Sequence, residues 1–134
     1  MDIVFVVDAS GSIGVTNFNL TKSFLSRLVG RLNISSGNTR VGLVTYSSGI
    51  GSGFNLSDYV TVASMQRAIS SLGYSYGGTT NTAGALAYVR TTMLTAAAGN
   101  RDDVPNVVVV VTDGHSNNAN HTQVCKMLCT SFVT

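Results

Sequence analysis

Two runs of β-branched and aromatic residues, Ile3 to Val7 (IVFVV) and Val107 to Val111 (VVVVV), constrain the fold more than anything else in the chain. Neither alternates apolar with polar residues, so each strand must be covered on both faces, as in a parallel sheet sandwiched by helices. Each run meets an aspartate within two residues, Asp8 and Asp113. A third run, Val41 to Tyr46 (VGLVTY), is similar but carries Gly42. Before it, Phe18, Thr21, Phe24, Leu25, Leu28, Val29 and Leu32 recur at three- and four-residue steps. That spacing predicts an amphipathic helix of about four turns with Thr16 or Asn17 as its N-cap. Further on, Val62, Met65, Ile69 and Leu72 share one face of a shorter helix, and Ala83 to Ala97 is Ala-rich with high helix propensity. Strands alternating with helices predict an α/β fold, a doubly wound and mostly parallel sheet flanked by helices, with right-handed crossovers. Gly49 to Gly53 and Tyr74 to Gly78 read as Gly-rich connectors, and Asn100 to Asn106, with the only proline at Pro105, as a polar turn.

The chain has 134 residues, enough for one domain and too few for two of ordinary size, so a single domain over residues 1–134 is expected. Hydrophobic residues are 44% and charged residues 10%, which excludes disorder driven by charge. The net charge of +2 comes from eight scattered Lys and Arg against six Asp, with no Glu and no basic cluster. Neither nucleic acid nor an anionic membrane is an expected partner. No apolar run approaches the ~20 residues of a bilayer span, and no signal peptide is expected in this chain. Sequons at Asn19, Asn33, Asn55 and Asn120 are candidate glycosylation sites and point to a secreted, extracellular protein. Cys125 and Cys129 lie four apart, a spacing that fits neither a zinc framework nor C-x-x-C and leaves free thiols or a local or intermolecular disulfide open.

In open α/β sheets, ligands bind beyond the carboxyl ends of the strands. Three polar clusters map there: Asp8-Ala9-Ser10-Gly11-Ser12, Gly77-Gly78-Thr79-Thr80-Asn81-Thr82 and Thr112-Asp113-Gly114. A carboxylate at the end of an apolar strand needs a cation or several donors, and no Lys or Arg lies nearby in sequence. Converging hydroxyls and carboxylates supply oxygen alone, the ligand set of a hard ion such as Mg²⁺ or Mn²⁺ rather than of zinc or copper. His115 and His121 are read as exposed loop residues, and Tyr46, Tyr74 and Tyr76 either line the rim of this edge or pack against its loops.

The segments DIVFVVDASGSIG, GGTTNTAGAL and VVVVVTDG resemble, in order and separation, the von Willebrand factor type A domain, including the inserted domains of integrins. The resemblance covers about residues 2 to 122. It implies a Rossmann-like fold and a metal-ion-dependent adhesion site made by Asp8, Ser10 and Ser12 of the first motif, Thr80 of T-x-T and the final Asp113. Thr79 competes for the threonine position, with Thr80-Asn81-Thr82 in the better register. The family implies hydroxyl ligation through Ser10, Ser12 and Thr80, with Asp8 and Asp113 acting directly or through water, and a partner's Glu or Asp completing the shell. The expected function is metal-dependent binding of an extracellular or matrix protein, collagen-like or another adhesion ligand, without enzymatic activity. Neutral direct ligands leave the ion more of its charge, so a small loop shift bringing Asp113 into direct contact switches affinity.

The rival readings differ in class. A haloacid-dehalogenase-like phosphatase needs an aspartate two residues after the first, and that position is Ser10. A Rossmann dinucleotide site needs glycine where Asp8 and Ala9 stand, and a G-x-S-x-G hydrolase elbow fails around Ser10 and Ser12. The stronger rival is a structural matrix or self-assembly domain whose metal site engages no ligand. The chain departs from the family after the T-D-G motif. Val124, Met127, Leu128 and Phe132 predict one last amphipathic helix and no further strand fits, so the domain is truncated or divergent from about residue 123 and lacks the last strands. Val107 to Thr112 is then an exposed sheet edge open to self-association.

Overall fold

The computed structural model describes residues 1–113 and the backbone of 132–133. The chain runs β1 (Asp2–Asp8), α1 (Gly14–Val29), β2 (Arg40–Tyr46), β3 (Ile50–Phe54), α2 (Val62–Ser70), α3 (Thr82–Tyr88), β4 (Asn106–Val111) and β5 (Phe132–Val133). They form one sheet in the order β3-β2-β1-β4-β5. The strand β1 is central and parallel to both β2 and β4, β3 is antiparallel to β2, and β5 is parallel to β4.

The three apolar runs are the three inner strands, and their burial divides by parity. Ile3, Phe5 and Val7 face one layer with Val41 and Leu43, under Phe18, Leu25 and Val29 of α1 and Met65 and Ile69 of α2. Val4 and Val6 face the opposite layer with Val44 and Val108, under Ala85 and Leu86 of α3 and the following Val89 and Met93. This is the doubly wound α/β arrangement that the apolar runs require.

Four expectations are corrected. First, the Gly-rich segment after β2 is not only a connector, because Ile50–Phe54 pairs antiparallel with β2 as β3. Its glycines allow that approach: a Cβ at Gly53 would meet the backbone of Leu43 and Val44. Second, α1 begins at Gly14 with Ile13 at the N-cap rather than Thr16 or Asn17, and its first amide is held by a distant side chain described below. Phe24, expected on its core face, is 57% exposed, as Leu20 is at 63%. Third, the Ala-rich helix is broken: α3 passes into a π-helical turn at Val89–Met93 and a short 3₁₀ turn at Ala96–Ala98. The added residue of the π turn keeps both Val89 and Met93 buried on the sheet. Fourth, a strand does follow β4. Phe132, expected on a last helix, lies in β5, where Val108 and Val109 of β4 pair with Phe132 and Val133. The edge of β4 is therefore covered over that stretch. The rest of the expected last helix, together with Asn120, His115, His121, Cys125 and Cys129, lies outside the described residues.

At the amino end of the sheet, Arg101 locks the start of β1. Its guanidinium donates to Asp2 Oδ1 at 2.6 and 3.0 Å and its backbone N–H to Asp2 Oδ2 at 2.8 Å, with Asp2 fully buried. The same side chain donates to the carbonyls of Met1, Gly37 and Asn38. Of the sequon asparagines, Asn19 and Asn33 are exposed and Asn55 is half-buried. Among the described residues no helix is long and apolar enough to cross a membrane.

Candidate metal centre

The carboxyl edge of β1 delivers Asp8 opposite Tyr46 of β2, where the sheet stops and the loops begin. Asp8 is 2% exposed, and both of its carboxylate oxygens are aimed. Oδ1 accepts the Ser10 backbone N–H at 2.9 Å, closing a tight turn, and Oδ2 accepts the Thr112 hydroxyl at 2.9 Å. Among the described residues no Lys, Arg or His forms an ion pair with it, whereas Asp2, at the other end of the same strand, has Arg101. The turn sets the Ser10 and Ser12 hydroxyls 3.1 Å apart, Ser10 buried and Ser12 exposed, so the oxygens lead from the sheet edge outward to solvent.

The second motif is docked onto the first by backbone. Gly11 N–H donates to Gly77 O at 2.7 Å, and Ser10 forms a parallel bridge with Gly77. Glycine is required at 77 because a Cβ there would fall on the Ser47 side chain. Ser47, just past β2, ties the loops together: its carbonyl accepts the Asn81 N–H at 2.8 Å, and the Ser75 hydroxyl donates to its Oγ at 3.2 Å. Asn81 then caps α3 through Gly84 N–H at 3.0 Å, which fixes Thr80 immediately before the helix. Thr80 is 9% exposed and its hydroxyl has no hydrogen-bond partner among the described residues, while Thr79 is exposed.

The three tyrosines have separate tasks. Tyr74 donates to Ser10 O at 2.7 Å and accepts Gly14 N–H at 3.0 Å, so one phenol holds both the first motif and the start of α1. Tyr76 is the rim residue: 69% exposed, held at φ 49°, with its ring against Tyr74 at 4.3 Å. Tyr46 lies behind the centre, its hydroxyl 3.1 Å from Thr82 Oγ1. Burial pushes its phenol above the usual 10.0 against the opposing hydrogen bonds to Thr82 and Thr112, and the charges of Asp8 and Asp113 push in the same direction. The exposed Asp113 is thereby placed at the same end as Asp8, within electrostatic reach of one phenol.

The structure thus joins Asp8, Ser10, Ser12 and Thr112 directly, docks the Thr80 loop on them through Gly77 and Ser47, and brings Asp113 to the same edge. Sequence reasoning missed the supporting role of Ser47; of the two alternatives left open for Tyr74, packing against the loops is the one observed, and Gly77 was placed in the second cluster without its bond to Gly11. The only signal for Ser47 was its position one residue past an apolar run, at the same strand edge. Among the described residues no three of His, Cys, Asp and Glu cluster, so the donors here are hydroxyl and carboxylate oxygens. A buried carboxylate that forms no ion pair among the described residues, at one sheet edge with the Ser10 and Ser12 hydroxyls and the docked Thr80 loop, fits a hard divalent ion.

A profile of the von Willebrand factor type A domain matches residues 2–133. The chain belongs to the von Willebrand factor type A domain family. It is 44% identical over 117 residues to the mouse collagen alpha-4(VI) chain, covering 86% of this chain and 5% of that one. It is 36% identical over 116 residues to chicken matrilin-1, covering 87% and 23%. The chain therefore spans only a small part of these relatives. Among solved structures, proximal thread matrix protein 1 from the mussel byssus superposes with a TM-score of 0.85 at 27% identity, over 94% of this chain and 34% of that chain. A further structure of that protein, with zinc in its metal-ion-dependent adhesion site, gives 0.84 at 25% identity, over 98% and 39%. Type A domains of matrix and adhesion proteins such as collagen VI, matrilin and von Willebrand factor are non-enzymatic, which removes the phosphatase alternative.

Proposed function

We propose that this type A domain is a divalent-metal-dependent protein-binding module that engages a carboxylate of an extracellular matrix partner. The observation that carries the proposal is Asp8: buried, oriented at both oxygens and without a cationic partner among the described residues. Asp8, Ser10, Ser12, Thr80 and Asp113 would hold Mg²⁺ or Mn²⁺. A bound ion supplies a positive centre that attracts an incoming Glu or Asp side chain. The protein's own residues do the rest. Thr112 and the Ser10 amide aim Asp8, the Gly11–Gly77 bond sets the spacing of the two hydroxyl motifs, and buried neutral Tyr46 backs the carboxylates without adding a charge. Ser12 and Tyr76 lie on the open side, where a partner approaches.

On this reading the chain is one domain and is secreted, with Asn19 and Asn33 as the sequons whose exposure accommodates a glycan. The test is adhesion of the purified chain to immobilised matrix collagens in Mg²⁺, in Mn²⁺ and in EDTA. Binding that requires the metal and disappears in Asp113→Ala and Thr80→Ala supports the proposal. Metal uptake with no metal-dependent adhesion would instead leave a structural site.

A further inference from the structure

Two of the four sequons meet at one cavity. Near the amino end of β2, the turn after α1 and the loop between β3 and α2 enclose about 610 Å³. Ile34 and Ser35 of Asn33-Ile34-Ser35 line it, and so do Leu56 and Ser57 of Asn55-Leu56-Ser57. Each asparagine therefore stands one residue outside the wall. Asn33 is the one open to modification: it is exposed, with its backbone carbonyl fixed by the Thr39 N–H at 3.2 Å and the Ser36 hydroxyl at 3.1 Å. Asn55 is half-buried in a turn closed by Asp58, whose carboxylate accepts its N–H at 2.7 Å. The rest of the wall has the chemistry of a sugar site. Tyr59 brings a half-buried ring braced edge-on by Phe54 at 5.1 Å, and beside it Val60 is 71% exposed. Arg40 gives one N–H to Gly99 O at 2.6 Å and has further donors, and among the described residues no carboxylate lines the cavity.

We propose that an N-linked glycan on Asn33 folds back into this cavity and is a structural part of the domain. The first glucosamine carries a C–H face for the Tyr59 ring, an acetamide methyl to cover Val60, and polar groups for Ser57, Thr61 and Arg40. Because the sugar is tethered, an interaction too weak to hold the free sugar suffices. The inference rests on the reading of the chain as secreted. It is independent of metal, since no lining residue belongs to the Asp8 centre.

The test uses the full chain with Asn19→Gln, Asn55→Gln and Asn120→Gln, which leaves Asn33 as the acceptor, secreted from mammalian cells behind a leader and also made in bacteria without glycan. The glycan should raise the unfolding temperature by about 3 °C or more. Nuclear Overhauser contacts should join its first acetamide methyl to the Tyr59 ring. Val60→Ser, at an exposed position, and Tyr59→Leu, which keeps an apolar contact for Phe54, should each remove about half of the rise or more. A matched chain with Asn19 as its acceptor controls for host and for glycan bulk, and should rise by less than about 1 °C. Equal rises at the two sites, an unchanged rise in both variants, or no contact to Tyr59 would overturn the proposal. A chain glycosylated at Asn19 but bare at Asn33 would overturn it too, while leaving the secreted reading in place.

Discussion

Asp8→Asn removes the charge of a candidate ligand that is only 2% exposed while keeping its shape. In the metal-free chain two effects oppose. The hydrogen bonds from the Ser10 N–H and the Thr112 hydroxyl lose their charge assistance, about 1 kcal/mol each. The Thr112 hydroxyl can turn to accept from the new amide, and the penalty for burying a carboxylate without a cation, several kcal/mol in its gross value, is relieved. The metal-free variant is therefore expected within about 2 kcal/mol of the parent. With metal the two diverge. An ion at about 100 times its dissociation constant stabilises the parent by about 2.7 kcal/mol. In a domain of this size that raises the unfolding temperature by about 10 °C, and the variant should lose this increment. The assay is thermal unfolding of both proteins in EDTA, Mg²⁺, Mn²⁺ and Zn²⁺, with calorimetric titration of each metal. An equal metal-induced rise in the variant would refute the assignment of Asp8. Loss of more than about 4 kcal/mol in EDTA would show that the carboxylate is there to hold the turn.

Three further substitutions probe the surroundings. Gly77→Ala places a methyl on the Ser47 side chain and should cost about 1–3 kcal/mol in urea unfolding while weakening metal affinity, because Gly77 spaces the two motifs. Arg101→Met strands the fully buried Asp2 and should cost about 3–5 kcal/mol by the same measurement; at the opposite end of the sheet, it should leave the metal-induced increment intact. Tyr46→Phe gives up the bond to Thr82, about 1 kcal/mol. It should also flatten the alkaline limb of stability against pH. With the folded phenol raised above 10.0, the unfolded chain ionises first, so the parent loses stability as pH climbs from about 10 toward the folded value. The phenolate absorbance that Tyr46→Phe removes should be a component that rises above the ordinary 10.0. A parent and variant with parallel alkaline limbs would contradict this.

The inner strands and the polar loops at their carboxyl ends were legible because their signals are local: unbroken apolar runs, with Ser10 and Thr112 within two residues of an aspartate. What was not legible depends on partners distant in sequence. The start of α1 is set by a phenol 60 residues away, so neither Thr16 nor Asn17 was needed as a cap. The segment IGSGF has poor strand propensity and becomes β3 because β2 offers an edge that only small residues can approach this closely. Phe24 fits the helical repeat and still faces outward, since an arithmetic of threes and fours does not say where the neighbouring helix ends.

The position of β1 has a mechanical consequence. It is held on both sides by parallel strands in matching register, Asp2 to Asp8 against β2 and Asp2 to Val7 against β4. A pull along the chain at Asp2 therefore loads both ladders in shear, so many hydrogen bonds must fail together instead of peeling one after another. The Arg101 clasp on Asp2 must yield first. The strand that ends in Asp8 is thus the element best placed to resist tension between a tether at one end of the domain and a partner held at the other.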